Sequence, residues 1–242
     1  MLLAKVRNRR ILKYKDQFVN MRVKVKWFVG ILMAIFVSKG FAQTDEEKYL
    51  QVITERADKI VATLGIMDSI RYYQVRDVLV EQYSVLNTHH EAREEAIKQL
   101  KEEFVGQKEV LENKRTAYEA DQDKELRVVH NIFVDKLERL LDGSQIEAIK
   151  NGMTYGVLPL TYGAFQDMIP SLTNEQKAKI LNYLTEAREL AMDAPGSREK
   201  HAVFGKFKGR INNYLSAQGY DLQKEGDNWK ARREQQTKNI NP

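Results

Sequence analysis

The chain has 242 residues, no cysteine, and a formal charge of +5 from 39 Lys and Arg against 34 Asp and Glu. Without cysteine no disulfide and no thiolate metal site can form, so packing must hold the fold. Ten of the bases and one acid fall in residues 1–42, which leaves 29 bases against 33 acids, near −4, so the overall positive charge is no argument for a nucleic-acid partner and none is expected.

The first element is a leader. Basic Arg22-Val-Lys-Val-Lys26 precedes an apolar run from Trp27 to Val37, and Gly40-Phe-Ala42 comes next as a small-x-small site. These are the three parts of a secretory signal peptide. The apolar run is far short of the roughly 20 residues a membrane-spanning helix needs. Cleavage is expected after Ala42, giving a periplasmic or secreted chain from Gln43 with no membrane span. Met21 opens a leader of ordinary length and is read as the start codon, with residues 1–20 outside the fold. The predicted organisation is an extension and signal peptide over 1–42, a single helical domain over 43–236 and a polar tail over 237–242. Two hundred residues suffice for one substantial core.

Helical periodicity governs the mature chain. Leu50, Ile53, Ala57, Ile60, Val61 and Leu64 mark one face of a first helix, and Gly65 suits its C-terminal end. Asp68 can cap a second helix with the stripe Tyr72, Val75, Leu79, Tyr83, Leu86. A third is expected from about Asp123, along Leu126, Val129, Phe133, Leu137 and Leu140. No stretch alternates as a strand would.

Residues 88–126 between them are highly charged, with a thin seam of Ile97, Leu100, Phe104, Leu111 and Tyr118. One helix from Asp68 to Leu141 would be roughly 110 Å long, so a reversal is expected near Gly106 or Ala120. The reading is a solvated helical hairpin, with a protein partner for this arm as the alternative.

Leu141-Asp-Gly-Ser-Gln145 and Leu172-Thr-Asn-Glu-Gln176, 31 residues apart, each spell a capping box in which Asp142 or Thr173 and the glutamine three residues on satisfy a helix start. The same letters resemble the Leu-Thr-x-x-Gln signature of Spy-type periplasmic chaperones. Residues 152–170 between the boxes hold three Gly and two Pro among apolar and aromatic residues. They are predicted as a long irregular loop, in which Tyr155, Tyr162 and Phe165 either plug the core or present platforms to a ligand. A final helix is expected from a Ser197 cap, with Phe204, Phe207, Ile211, Tyr214 and Leu215 inward. Gly205 and Gly209 would leave a strip for another backbone to approach. Gly219 closes it, and Gln223–Arg233 can form one more helix.

Chemistry is sparse. Of four histidines, His90 and Glu94 share a helix face, but a metal needs three or four convergent ligands, so no metal and no cofactor is predicted. No nucleophile elbow, phosphate-cradling glycine loop or catalytic cysteine is present. Arg198, Lys200, Lys206, Lys208 and Arg210 surround His201 with Glu199 as the one acid. That patch suits an anion such as a uronate carboxylate, while Asn212, Asn213 and Tyr214 offer amides and a ring to a sugar. A solvated face is the plain alternative. The predicted ligand surface is therefore Tyr155, Tyr162, Phe165, His201, Lys206, Lys208, Arg210, Asn212, Asn213 and Tyr214.

Gly152-Met-Thr-Tyr-Gly-Val, Ala187-Arg-Glu with Ala191-Met-Asp-Ala, Lys200-His, and Lys208-Gly-Arg-Ile-Asn-Asn-Tyr-Leu-Ser with Gly219-Tyr-Asp resemble a secreted domain-of-unknown-function family of Bacteroidetes, DUF3826. The resemblance runs from about Thr44 to about Arg233. It implies a sugar-binding role in a polysaccharide-utilisation system and supplies no catalytic residues. The expectations are an all-α bundle with a long charged hairpin, and a periplasmic carbohydrate-binding accessory protein without catalysis, with acidic glycans favoured. A glycan lyase or hydrolase using His201 is the second reading, and a Spy-like chaperone the third.

Overall fold

The computed structural model describes residues 44–240, with side chains to Thr237; the predicted leader and its cleavage site lie outside the described residues. Among the described residues there are eight α-helices and no strand: α1 (Asp45–Val61, continued by a 3-10 turn at Ala62–Leu64), α2 (Ser69–Glu103), α3 (Lys108–Glu138), α4 (Gly143–Met153), α5 (Val157–Met168), α6 (Asn174–Met192), α7 (Ser197–Ala217) and α8 (Leu222–Ile240). None is long and apolar enough to cross a membrane. The all-α expectation is met.

The helix starts obey capping chemistry. Asp142 accepts from the Gln145 N–H at 2.9 Å and Thr173 from the Gln176 N–H at 3.2 Å, while each glutamine accepts its cap residue's N–H. Leu141 and Leu172 are buried ahead of the boxes. A third box, Thr44 with Glu47, opens α1. The glutamines also tie the boxes outward: Gln145 Nε2 donates to the Leu64 carbonyl at 3.1 Å, and the Tyr220 hydroxyl donates to Gln176 Oε1 at 2.9 Å. Thr173→Ala is expected to lower the unfolding free energy by about 1 kcal/mol, read from a urea midpoint shift at unchanged slope.

Two apolar clusters form. The first joins α1, α2, α3 and α4 through Ile53, Val61, Leu79, Phe133, Leu137 and Ile149. The second joins α5, α6 and α7 through Phe165, Ile180, Leu184, Phe204, Phe207 and Ile211. α6 connects them, because Ala187 and Ala191 belong to the second cluster and Met192 to the first.

Five local expectations change. The third helix starts at Lys108 rather than near Asp123, so α2 and α3 form one long hairpin that reverses at Gly106, φ +79°, with Ala120 inside α3. Arg93 and Glu119 pair across it at 3.0 Å. Residues 152–170 are not an irregular loop. They hold the end of α4 and all of α5, because Pro159 is the third residue of α5, where the missing N–H has no intrahelical partner to lose. Pro170 follows the C-cap Ile169. Ser197 is the first residue of α7 and its cap is Gly196. No atom beyond their own helix lies within 4 Å of a Cβ built on Gly205 or Gly209, so no backbone approaches there. Finally, α8 continues to Ile240.

The real break between α4 and α5 is three residues long. Gly156 N–H bonds the Asn151 carbonyl at 2.8 Å and Tyr155 N–H bonds that of Gly152 at 3.3 Å, with Tyr155 at φ +58° and Gly156 at φ +67°. This is a Schellman motif with tyrosine in the left-handed position that glycine usually takes. The end of α7 repeats it with the usual residue: Tyr220 N–H bonds Leu215, Gly219 N–H bonds Ser216, and Gly219 sits at φ +92°.

Candidate functional site

Tyr155 is the one non-glycine residue with positive φ among the described residues, and a bulky side chain there costs about 1–2 kcal/mol. Strain of this kind concentrates at functional sites. Its half-exposed ring stacks on His201 of α7, centroids 5.8 Å apart and planes at 21°. His201 Nδ1 donates to the Ser197 carbonyl at 2.7 Å, since a carbonyl can only accept.

Beside that stack lies a cleft of about 350 Å³, where α1, α2, the end of α4 and the start of α7 meet. From α1 come Glu55, Arg56 and Lys59; from α2, Tyr83; from the α4 end, Gly152 and Tyr155; from α7, Lys200. Gly152 is needed for the approach of α4 to α1, since a Cβ there would stand 2.9 Å from Ile60 Cγ2.

Tyr83 is buried and its hydroxyl has no hydrogen-bond partner. The Arg56 guanidinium lies over its ring at 5.5 Å. Burial, opposed by Arg56, pushes the phenol up to about 12. Lys200 is 5 % exposed, and its ammonium donates to the Ala191 and Met192 carbonyls, both at 2.8 Å, closing the C-terminal turn of α6. Burial pushes this amine down to about 8, against the pull of Asp193 and with help from Arg56.

A polar network lies beneath, between the two apolar clusters. Arg188, 2 % exposed, holds Glu147 of α4 through two bonds of 2.6 and 2.8 Å, and also reaches Asn151 and Glu189. Glu189 further pairs with Lys150 at 2.8 Å and His130 at 3.3 Å, and His130 Nδ1 meets Asp193 at 2.8 Å. The Asp193 and Glu189 carboxylates raise His130 to about 9. Burial pushes Glu189 up, but His130, Lys150 and Arg188 outweigh it and hold the acid at about 2.

Of the residues predicted from sequence, the structure brings Tyr155 and His201 together and disperses the rest. Phe165 is buried in the second cluster and Tyr162 packs against it; Tyr214 packs there too, edge-on to Tyr183. Lys206, Lys208, Asn212 and Asn213 are exposed on α7. At 100° per residue Lys208 and Asn212 share a flank with His201, whereas Lys206, Arg210 and Asn213 face away. Arg210 is occupied by Glu186 at 3.6 Å and by the Phe207 ring at 4.5 Å. Arg56, Lys59 and Tyr83 have no sequence signal, because α1 and α2 carry no chemical motif. Lys200 does have one: with Phe204, Phe207 and Ile211 it keeps the spacing of the buried stripe, and a lysine on that stripe is a buried cation. Among the described residues no group of three His, Asp or Glu is placed to hold a metal.

The fold and the cleft define an all-α, two-cluster bundle with a tyrosine-walled, cation-lined recess at the junction of four helices. A family model described as protein of unknown function (DUF3826) matches residues 50–235, and the chain belongs to that family. No curated protein matches it.

Proposed function

We propose that this protein is a carbohydrate-binding accessory of a polysaccharide-utilisation system, periplasmic or secreted in a member of the Bacteroidetes, and that the cleft takes an acidic sugar. The observation behind this reading is Tyr155. Glycine serves the same motif at Gly219 without strain, so the tyrosine is kept for its ring. A flat ring is what an aromatic platform for a sugar face requires. The cleft volume falls within the range of small-ligand sites. Arg56, Lys59 and Lys200 outnumber Glu55 on its walls, which favours a carboxylate on the ligand. The predicted α7 cation patch supports the reading less, because Lys206 and Arg210 point away from His201.

The test is Tyr155→Gly. Relief of the left-handed strain should leave stability unchanged or raise it by about 0.5–1 kcal/mol. Losing the platform should weaken binding about 10-fold or more. Calorimetric titration with polygalacturonate and with its carboxyl-reduced form checks both the ring and the charge. Binding to the acidic form should weaken as salt rises, over a Debye length near 10 Å at about 0.1 M. Equal binding by Tyr155→Gly and the parent protein would move the site elsewhere.

A further inference from the structure

Among the described residues Lys200 is the one buried lysine, and its place on the cleft wall leaves it more to do than close a helix. Two of its N–H groups are committed to the Ala191 and Met192 carbonyls. An ammonium then has one N–H left, and a neutral amine has its lone pair left. Tyr83 lines the same cleft with a hydroxyl that nothing among the described residues satisfies. A buried, unpaired donor costs free energy and calls for an explanation. An oxygen of the ligand supplies one.

Lys200 and Tyr83 line one cleft with the cations Arg56 and Lys59. Hydrolysis by the usual route needs two carboxyl groups flanking the bond, and Glu55 is the one carboxylate on the cleft wall. Elimination needs a base, an acid and positive charge beside the sugar carboxylate, which Lys200, Tyr83 and Arg56 with Lys59 provide.

We propose that the cleft cleaves 4-linked uronate glycans by β-elimination, Lys200 Nζ taking the C5 proton and the Tyr83 hydroxyl protonating the leaving O4. The proposal rests on the acidic-sugar reading of the cleft. Arg56 and Lys59 bind the uronate carboxylate and stabilise the charge that builds on it as C5–H breaks. The C5 electron pair forms the C4=C5 double bond, the C4–O4 bond breaks, and O4 leaves with the tyrosine proton. The new ammonium returns its proton to the phenolate through the cleft. Atoms and electrons balance without an oxidant or reductant. The groups that share the cleft wall with Lys200 are Glu55, Arg56 and Lys59 from α1, Tyr83 from α2 and Tyr155 from the α4 end, and Asp193 at the end of α6 also acts on its charge. With the amine titrating at about 8, the rate should rise with pH through that value, because the neutral form is the base.

The experiment incubates the purified protein with polygalacturonate, alginate and chondroitin sulfate, following the ultraviolet absorbance of the conjugated C4=C5 bond and, separately, binding by calorimetry. The expected result is an absorbance rise with at least one polymer. Tyr83→Phe should still bind, weakened only by the one hydrogen bond it gives the ligand, and lose about 100-fold or more in rate. Its fold should hold, since the deleted hydroxyl has no partner. Lys200→Arg keeps a cation for the α6 carbonyls but cannot act as a base, and should lose a similar factor. If that variant does not fold, Tyr83→Phe alone decides. Binding of an acidic polymer without absorbance at neutral or mildly alkaline pH overturns the elimination and leaves the binding reading standing. No binding to any of the three overturns both. Full rate in Tyr83→Phe overturns the assignment of the acid.

Discussion

Arg188→Ala is expected to lower the unfolding free energy by about 3 kcal/mol, the largest loss from any single polar substitution among the described residues. The guanidinium is all but excluded from solvent and bridges α6 to α4 through both Glu147 oxygens and Asn151. Truncation removes the bridge and leaves a space the size of the side chain between the two apolar clusters. It also takes one of three cations from Glu189. Removing one partner of a buried pair costs more than the pair is worth, because the other is left uncompensated. Glu147 is half-exposed and regains water, which keeps the loss near the lower end of the usual range. For a domain of this size the melting temperature should fall on the order of 10 °C. Arg188→Met retains the stem and should recover part of the loss, separating packing from charge. A melting temperature within about 2 °C of the parent protein for Arg188→Ala would show that this network does not join α4 to α6.

The same network sets the pH range of stability. Glu189 titrates at about 2 in the fold against an ordinary 4.5, so its contribution is complete above 4.5 and is lost as pH falls toward 2. His130 titrates at about 9 against an ordinary 6.5, so its contribution is complete below 6.5 and is lost as pH rises toward 9. Stability from these two groups should therefore peak between about 4.5 and 6.5. Each flank is worth on the order of 2–3 kcal/mol, and because the two share one ion pair the values do not add. Lys200 acts in the opposite direction on the alkaline side: its amine is lowered in the fold, so its burial cost is relieved as pH rises above about 8. His130→Gln should flatten the decline between 6.5 and 9 and leave Lys200's rise visible. Urea denaturation at pH steps from about 4 to about 10 reads both; an unchanged alkaline slope in His130→Gln would assign that flank elsewhere.

Elements governed by local chemistry are legible in the residues themselves. The boxes at Asp142 and Thr173, the Asp68 cap and the glycine at the end of α7 all appear as expected, because a cap needs only its own neighbours three or four residues away. The inward stripes of α1, α2 and α7 come from period, apart from Leu50 of α1, which is half-exposed. Residues 152–170 resemble a loop only when Gly and Pro are weighed by number rather than by position. A proline in a first turn is compatible with a helix, and one glycine within it costs only about 1 kcal/mol. The start of α3 is hard to place because a charged stretch with a sparse seam has little amphipathic signal.

The helical class and the side-chain caps at Asp68, Asp142 and Thr173 are thus dictated by the amino-acid order, since they depend on contacts within one or two turns. Which charges meet is a property of the packed molecule alone. Lys200 reads as part of a basic run with Arg198, Lys206, Lys208 and Arg210, yet it alone turns inward, to the last carbonyls of α6, while its neighbours stay in water. Arg56 and Tyr83 lie 27 residues apart in sequence and reach the same cleft only because α1 and α2 pack side by side. His130 finds Asp193 across 63 residues. The physical reason is range: capping and periodicity act along a helix, whereas the electrostatic environment of a side chain is set by whichever helices the packing places against it.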